Sequence, residues 1–470
     1  MSAETALLCE ERRALRKRMI NSPTDRSLQD QYKIKNGECK AVVKREKRNA
    51  LENEIKEIED DFRNNRSHNL FKKVKSLGKK PKKKHMVLKD SNNVRTTQTN
   101  EVLKLWENHF KAHLNTRHPY QENAMESIPE APLIDQDELH ITVDDIRKAI
   151  GTLKNKRAPG SDRITAEVLK AGGNSIVNML DHVFQKILTE ENTPLEFSKM
   201  LVTPVYKKGD TCKPENYRAI ALLSIPGKVL NKILLNKIRE KTEGFTSESQ
   251  FGFRPKRGIV DAIFIARQII QKAKKRGVKI HINFVDFKSA FDTIWREALW
   301  KMLKAIGVNK KIVNIIERMY DKTICSVVVE GYSTEWFEVM IGVRQGCLLS
   351  PTLFNVFLDF VMKEINCLSK DITFDDNLNV DLKYADDTTL ISAIYELLQL
   401  STSQLEAACK KFGMKVNADK SKIMSDNIRD ISIDSVNLEK VDSFVLLGSL
   451  VPSTSEDVRR RIALAGQERI

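Results

Sequence analysis

Two adjacent aspartates, Asp386 and Asp387, stand inside the run Leu382-Lys383-Tyr384-Ala385-Asp386-Asp387-Thr388-Thr389-Leu390-Ile391. Apolar or β-prone residues flank the pair on both sides. A strand that stops at two carboxylates and then restarts builds a poor core. It does hold two negative charges at a hairpin tip, where Mg²⁺ neutralises them. A third carboxylate from a different element would complete a two-metal site, and Asp286 is the best candidate. It ends the strand-like run Lys279-Ile280-His281-Ile282-Asn283-Phe284-Val285, and the C-terminal end of a strand lies at a sheet rim, where ligands often bind. The competing use of Asp286 is a helix N-cap. Three carboxylates hold two Mg²⁺ ions about 3.5–4 Å apart, one activating an attacking 3′-hydroxyl and the other neutralising a leaving pyrophosphate. Other aspartate pairs carry less. Asp60-Asp61 and Asp144-Asp145 sit in charged helical contexts and read as solvated faces, and Asp375-Asp376 has a turn composition.

The elements around these residues read as a mixture. The chain has 470 residues, which a length of roughly 150 per domain divides into about three units. Strand-like runs lie at 201–205, 278–285, 382–392 and 443–450. Helical patterns lie at 146–153, 228–238, 351–362 and 405–412. Strands and helices that do not strictly alternate indicate an α+β fold. Residues 1–118 read as basic helices, with Leu51, Ile55, Ile58 and Phe62 on one face and a second stripe at Leu70, Phe71, Val74 and Leu77. The run Gly78-Lys79-Lys80-Pro81-Lys82-Lys83-Lys84 reads equally as a solvated linker or as a nucleic-acid contact or nuclear import signal. A second linker, rich in Pro, Glu and Gln, covers 119–135.

Lys+Arg 79 against Asp+Glu 63 gives a net charge of +16, a surplus that suits a polyanionic partner. No apolar run approaches the roughly 20 residues that span a bilayer, and no signal peptide is visible, so nucleic acid is favoured over lipid. The 7 cysteines include no C-x-x-C pair, which argues against a disulfide framework or structural zinc and fits a reducing intracellular compartment, nucleus and cytoplasm.

Three segments resemble one family in its own order. Phe284-Val285-Asp286-Phe287-Lys288-Ser289-Ala290-Phe291-Asp292 looks like the first catalytic motif of non-LTR retrotransposon polymerases. Gly342-Val343-Arg344-Gln345-Gly346-Cys347-Leu348-Leu349-Ser350-Pro351 is similar to the next motif, and Tyr384-Ala385-Asp386-Asp387 resembles the catalytic hairpin of reverse transcriptases. The likeness extends to Thr203–Asp210 and Asn216-Tyr217-Arg218, to Gln250-Phe251-Gly252-Phe253-Arg254-Pro255, to Gly413–Lys422 and to the primer-grip region at Phe444–Ser449. It covers about residue 136 to the end. The basic segment before it, closed by Trp106 and Phe110, is similar to that preceding the polymerase in RTE-like elements, where it follows an apurinic-type endonuclease.

The resemblance implies a right-hand polymerase with fingers at 136–275, palm at 276–442, and primer grip and thumb start at 443–470. The thumb would be mostly missing, and a basic helical extension would occupy 1–118. It implies an RNA-directed DNA polymerase, truncated at both ends, that adds dNMP to a DNA 3′-end on an RNA template. The alternative is a catalytically inactive nucleic-acid-binding remnant of such an element; an RNA-templated RNA polymerase is disfavoured by Phe291. By this resemblance Asp286, Asp386 and Asp387 bind two Mg²⁺ ions, with Mn²⁺ as a substitute, and Lys420 protonates the leaving pyrophosphate. Lys207 and Arg218 contact the triphosphate, a bidentate guanidinium suiting phosphate oxygens. Phe291 excludes a 2′-hydroxyl, and Gln345 and Gly346 line the nucleotide and template pocket. The partners are RNA template, DNA primer and dNTPs, with no membrane. The chain departs from the family's usual residues at Arg163 (usually Gly), Ala219 (usually Pro), Lys256-Arg257-Gly258 (more typically Gly-Arg-Ser) and Leu446 (commonly aromatic). None of these departures removes a metal ligand.

Overall fold

A computed structural model describes residues 3–21, 25–64, 87–90, 93–132, 138–369, 372–375, 377–425 and 429–467. The stripe from Leu70 to Leu77, the Gly78–Lys84 run and Asp376 fall outside the described residues, as do the side chains of Leu51 and Phe62. The chain forms two compact units, Met1–His85 and Met86–Ile470. Among the described residues no helix is long and apolar enough to cross a membrane.

In the first unit, helix Ala3–Asn21 and helix Arg26–Arg63 form an antiparallel-type helical hairpin. Cys39 is buried there with its Sγ 3.2 Å from that of Cys9. In the same unit Ile55 is exposed and Asp61 is buried, so the apolar stripe and the Asp60-Asp61 pair do not simply divide into an inner and a solvated face.

The second unit is mixed helix and sheet. Its main sheet has the strand order Glu439–Lys440, Lys422–Met424, His281–Val285, Asp387–Ser392, Asn379–Tyr384. The central strand, His281–Val285, is buried along its whole length. Alternation of its side chains splits the core in two. Ile282 and Phe284 point to a cluster under helix Ile259–Lys275, together with Leu382 and Ile391. Val285 and Leu390 belong to the larger cluster on the other face, with Leu353, Phe354, Phe357 and Leu405. These four come from helices Ser350–Lys363 and Tyr395–Lys411, both rich in apolar residues at helical spacing.

A second sheet orders Tyr217–Leu223, Lys199–Tyr206, Ile324–Val329 and Tyr332–Ser333, with Phe337–Glu338 also paired to Ile324–Val329. The first pair is antiparallel, with Val205 opposite Arg218, so the segment's two cationic ends are neighbours. Helix Thr99–His113 buries Val102, Trp106 and Phe110, at i, i+4 and i+8. It lies against this sheet, Trp106 meeting Tyr217 edge-on with ring centroids 5.0 Å apart. Of the other aspartate pairs, Asp145 takes part in capping the helix Val143–Gly151 and is not a purely solvated residue. Its carboxylate accepts from the Thr142 amide while the Thr142 hydroxyl accepts from its own amide, a capping box.

Candidate active site

The sheet register brings the three sequence-predicted carboxylates to one rim. The hairpin strands Asn379–Tyr384 and Asp387–Ser392 pair with Tyr384 opposite Asp387, leaving Ala385 and Asp386 as the two-residue turn. Ala385 takes φ 59°, the left-handed conformation that such a tight turn demands. On the other side Thr388 pairs with Val285. One more step of the same register sets Asp387 opposite Asp286, where the central strand ends.

Loop residues that follow helix Tyr395–Lys411 secure Asp286. The Asn417 side-chain amide donates to its carboxylate at 2.9 Å, and the Asn417 backbone donates to its carbonyl at 2.8 Å. The Asp286 amide in turn donates to the Ser421 hydroxyl at 3.1 Å. Strand Lys422–Met424 then pairs with the central strand, which places Lys420 in the same loop with its Nζ 3.9 Å from the Asp286 carboxylate.

The carboxylates repel one another. The Asp387 side chain reaches solvent at the tip, yet desolvation by the protein around it, then the charges of Asp386 and Asp286, push its carboxyl up to about 6. Desolvation also raises Asp386, with Asp286 adding to the effect and Arg218 and Lys207 opposing it. Lys207 is lowered, first by desolvation and then by Arg218 and Lys420, against the pull of Asp292 and Asp286. An all-oxygen donor set with excess negative charge, faced by three cations, is chemically matched to hard divalent ions and a triphosphate. Among the described residues no three metal-ligating side chains are closed into a preformed cage.

The remaining predicted residues are held by neighbouring elements. Phe291 is half-buried, its ring stacked on Phe354 at 4.2 Å and edge-on to Phe253 at 6.3 Å. Gln345 and Gly346 lie along strand Tyr217–Leu223, where the Ala221 amide donates to the Gln345 carbonyl at 3.0 Å. Gly346 has φ 116°, and a Cβ there would fall 2.7 Å from the Ala221 carbonyl oxygen, so no larger residue fits this approach.

Asp292, Asn417 and His113 have structural roles here that were not read from sequence. Asp292 is 5% exposed, and its two carboxylate oxygens accept from the Gln345 side-chain amide at 2.8 and 2.7 Å. His113, at the end of helix Thr99–His113, approaches Asp292 at 3.3 Å. Asp292 and Asn417 both sit inside the quoted motifs, as polar residues among apolar neighbours. Nothing in the sequence around His113 signals its contact.

The family profile for reverse transcriptase (RNA-dependent DNA polymerase) matches residues 205–450, which contain all nine site residues expected from the sequence. The chain belongs to this reverse transcriptase family. The family is generally dependent on divalent metal ions. The reverse transcriptase domain has curated relatives. A probable RNA-directed DNA polymerase from transposon BS of Drosophila melanogaster is 25% identical over 95% of the chain and 51% of its own length. An uncharacterised 149 kDa protein of transposon TX1 from Xenopus laevis is 25% identical over 57% of the chain and 20% of its own length. The RNA-directed DNA polymerase from mobile element jockey of Drosophila melanogaster is 23% identical over 60% of the chain and 31% of its own length. The chain therefore spans about half or less of the length of these relatives.

Proposed function

We propose that this chain is the polymerase segment of a non-LTR, RTE-like retrotransposon, and that it extends a DNA 3′-end with dNMP on an RNA template. The carrying observation is the convergence of Asp286, Asp386 and Asp387 at one sheet rim, with Lys207, Arg218 and Lys420 within electrostatic reach. In this reading residues 136–275 are the fingers, with strands Lys199–Tyr206 and Tyr217–Leu223 of the second sheet, and residues 276–442 are the palm, with the main sheet and the remaining strands of the second. Residues 443–470 carry the primer grip and the start of a thumb, and the helices at the N-terminal end form the extension. Localisation to nucleus and cytoplasm accompanies the reading.

Asp286, Asp386 and Asp387 would hold two Mg²⁺ ions, with Mn²⁺ able to substitute, and these supply activation of the primer hydroxyl and neutralisation of the leaving group. Lys207 and Arg218 bind the triphosphate from the fingers side, and the Arg218 guanidinium offers a fork matched to phosphate oxygens. Phe291 is braced by Phe354 and stands as a rigid floor under the sugar. Gln345, fixed through its amide by Asp292, lines the base and sugar pocket with Gly346. Lys420 holds a proton near the position the pyrophosphate leaves from. Positioning and charge complementarity carry the catalysis, since phosphoryl transfer asks little covalent work of the protein.

The test is primer extension on poly(rA)/oligo(dT) with Mg²⁺. Asp386→Asn is expected to abolish it, and retained extension would remove Asp386 from the ligand set. An inactive nucleic-acid-binding remnant would instead retain oligonucleotide in a filter-binding assay while the unmutated chain fails to extend. The intact carboxylate trio and braced Phe291 speak against that alternative.

A further inference from the structure

The turn that presents Asp386 is gripped from behind by a segment 135 residues earlier in the chain. Residues 249–251 run as a short parallel partner to Lys383. The Lys383 amide donates to the Ser249 carbonyl and the Phe251 amide to the Lys383 carbonyl, both at 2.8 Å. Between these two bonds Gln250, 0% exposed, points its side chain at the turn. Its Oε1 accepts from the Ala385 amide at 2.9 Å and from the Gly252 amide at 2.8 Å. Its Nε2 donates to the Ala385 carbonyl at 3.2 Å. Only one orientation of the carboxamide satisfies all three bonds, because the flipped group would set donor against donor at two of them.

Gly252 completes the contact. A Cβ at Gly252 would lie 2.2 Å from the Ala385 nitrogen, so only a glycine lets the two backbones meet here. The Gly252 carbonyl is itself held by the Asn355 side-chain amide at 2.9 Å, from helix Ser350–Lys363. The residue under this grip is the one in the left-handed conformation, Ala385 at φ 59°. A non-glycine residue pays about 1–2 kcal/mol to sit there and needs surroundings that over-determine it.

We propose that Gln250 is a positioning residue that locks both backbone polar groups of Ala385 and so fixes the Asp386 carboxylate for a divalent cation. The inference rests on the metal-site reading above and adds to it a side chain that touches neither metal nor substrate. Gln250 holds the turn at its strained residue, and Asp386 is the next residue in the chain. Loss of the grip leaves Ala385 free to relax out of the left-handed region, which swings Asp386 away from Asp286.

The test compares Gln250→Glu and Gln250→Met with the unmutated chain. Gln250→Glu keeps the shape and the acceptor but faces the Ala385 carbonyl with a second acceptor. Gln250→Met keeps the volume and removes all three side-chain hydrogen bonds. Mn²⁺ binding is followed by electron paramagnetic resonance without substrate, and extension is followed in Mg²⁺. Both variants are expected to bind Mn²⁺ about tenfold more weakly and to extend roughly a hundredfold more slowly, the scale of loss that a misplacement of about 1 Å brings. The number of Mn²⁺ sites per chain is expected to stay that of the unmutated chain while their affinity falls, whereas general unfolding would lower the number of sites and leave the affinity of the folded fraction unchanged. Mn²⁺ affinity and extension rate both unchanged in Gln250→Glu, with its circular dichroism that of the unmutated chain, would overturn the proposal. If the unmutated chain binds Mn²⁺ but does not extend, the polymerase reading fails instead, and the Mn²⁺ titration still judges Gln250.

Discussion

At the scale of single residues, the site is built from carboxylates that are uncomfortable without a counter-ion. Asp387, desolvated and repelled by Asp386 and Asp286, has its carboxyl pushed up to about 6 from 3.8. A raised acid titrates the cation-binding form away as pH falls through that value. Divalent-ion affinity is therefore expected to be full near pH 7.5 and to weaken steeply between pH 6.5 and pH 5, read by Mn²⁺ titration at each pH. A pH-independent affinity over this range would mean that Asp387 is not a ligand. Phe291 is the second residue that the geometry isolates. Its ring is stacked on Phe354, which supports it from one face. Phe291→Val, which removes the ring but keeps an apolar floor, is expected to raise the ratio of ribonucleotide to deoxyribonucleotide incorporation by an order of magnitude or more. An unchanged ratio would reduce Phe291 to a core aromatic.

At the scale of elements, two departures from the family's usual residues acquire a physical meaning. Arg163 and Lys256 stand where glycine is usual, and the backbone takes φ 57° at Arg163 and φ 59° at Lys256. The turns kept their left-handed conformation while the residue suited to it was lost. A side chain there costs about 1–2 kcal/mol, of which the greater freedom of glycine in the unfolded chain returns about 0.5–1. Arg163→Gly and Lys256→Gly are each expected to stabilise the protein by about 0.5–1 kcal/mol. A rise in the denaturant midpoint with an unchanged slope would show it. No gain at either position would mean that the long side chains make compensating contacts. The same reasoning explains why element positions were legible and their ends were not. The strand expected at 201–205 runs Lys199–Tyr206, and the helix expected at 228–238 runs Ile225–Phe245. Periodicity reports the buried middle of an element, whereas its ends depend on caps such as Ser224, whose hydroxyl accepts from the Gly227 amide.

At the scale of the whole molecule, the +16 net charge is the dominant fact about partners. Oligonucleotide binding is expected to weaken with salt along a straight log–log line. An interface that neutralises about four phosphates loses roughly a hundredfold in affinity between 50 and 200 mM monovalent salt. A flat salt dependence in fluorescence anisotropy would show that the basic residues do not form a phosphate-binding surface. Charge of this kind gives affinity without sequence preference and does not by itself discriminate between templates.

The sequence by itself determined which residue types carry the chemistry and in what order they occur. Two acids between strand-like runs, a third acid at a strand's end and the ordered motifs around them were enough to indicate the family and to single out candidate residues, because strand alternation and glycine turns leave local marks. Only the tertiary structure decided how these residues are held. Asn417 meets Asp286 across 131 positions, Gln250 grips Ala385 across 135, and Asp292 anchors Gln345 across 53. Hydrogen bonds act over about 3 Å, and a chain that returns to the same point after a hundred residues carries no periodicity that reports the meeting. The identity of a ligand is therefore written locally, while its aim is set by whatever the fold packs behind it.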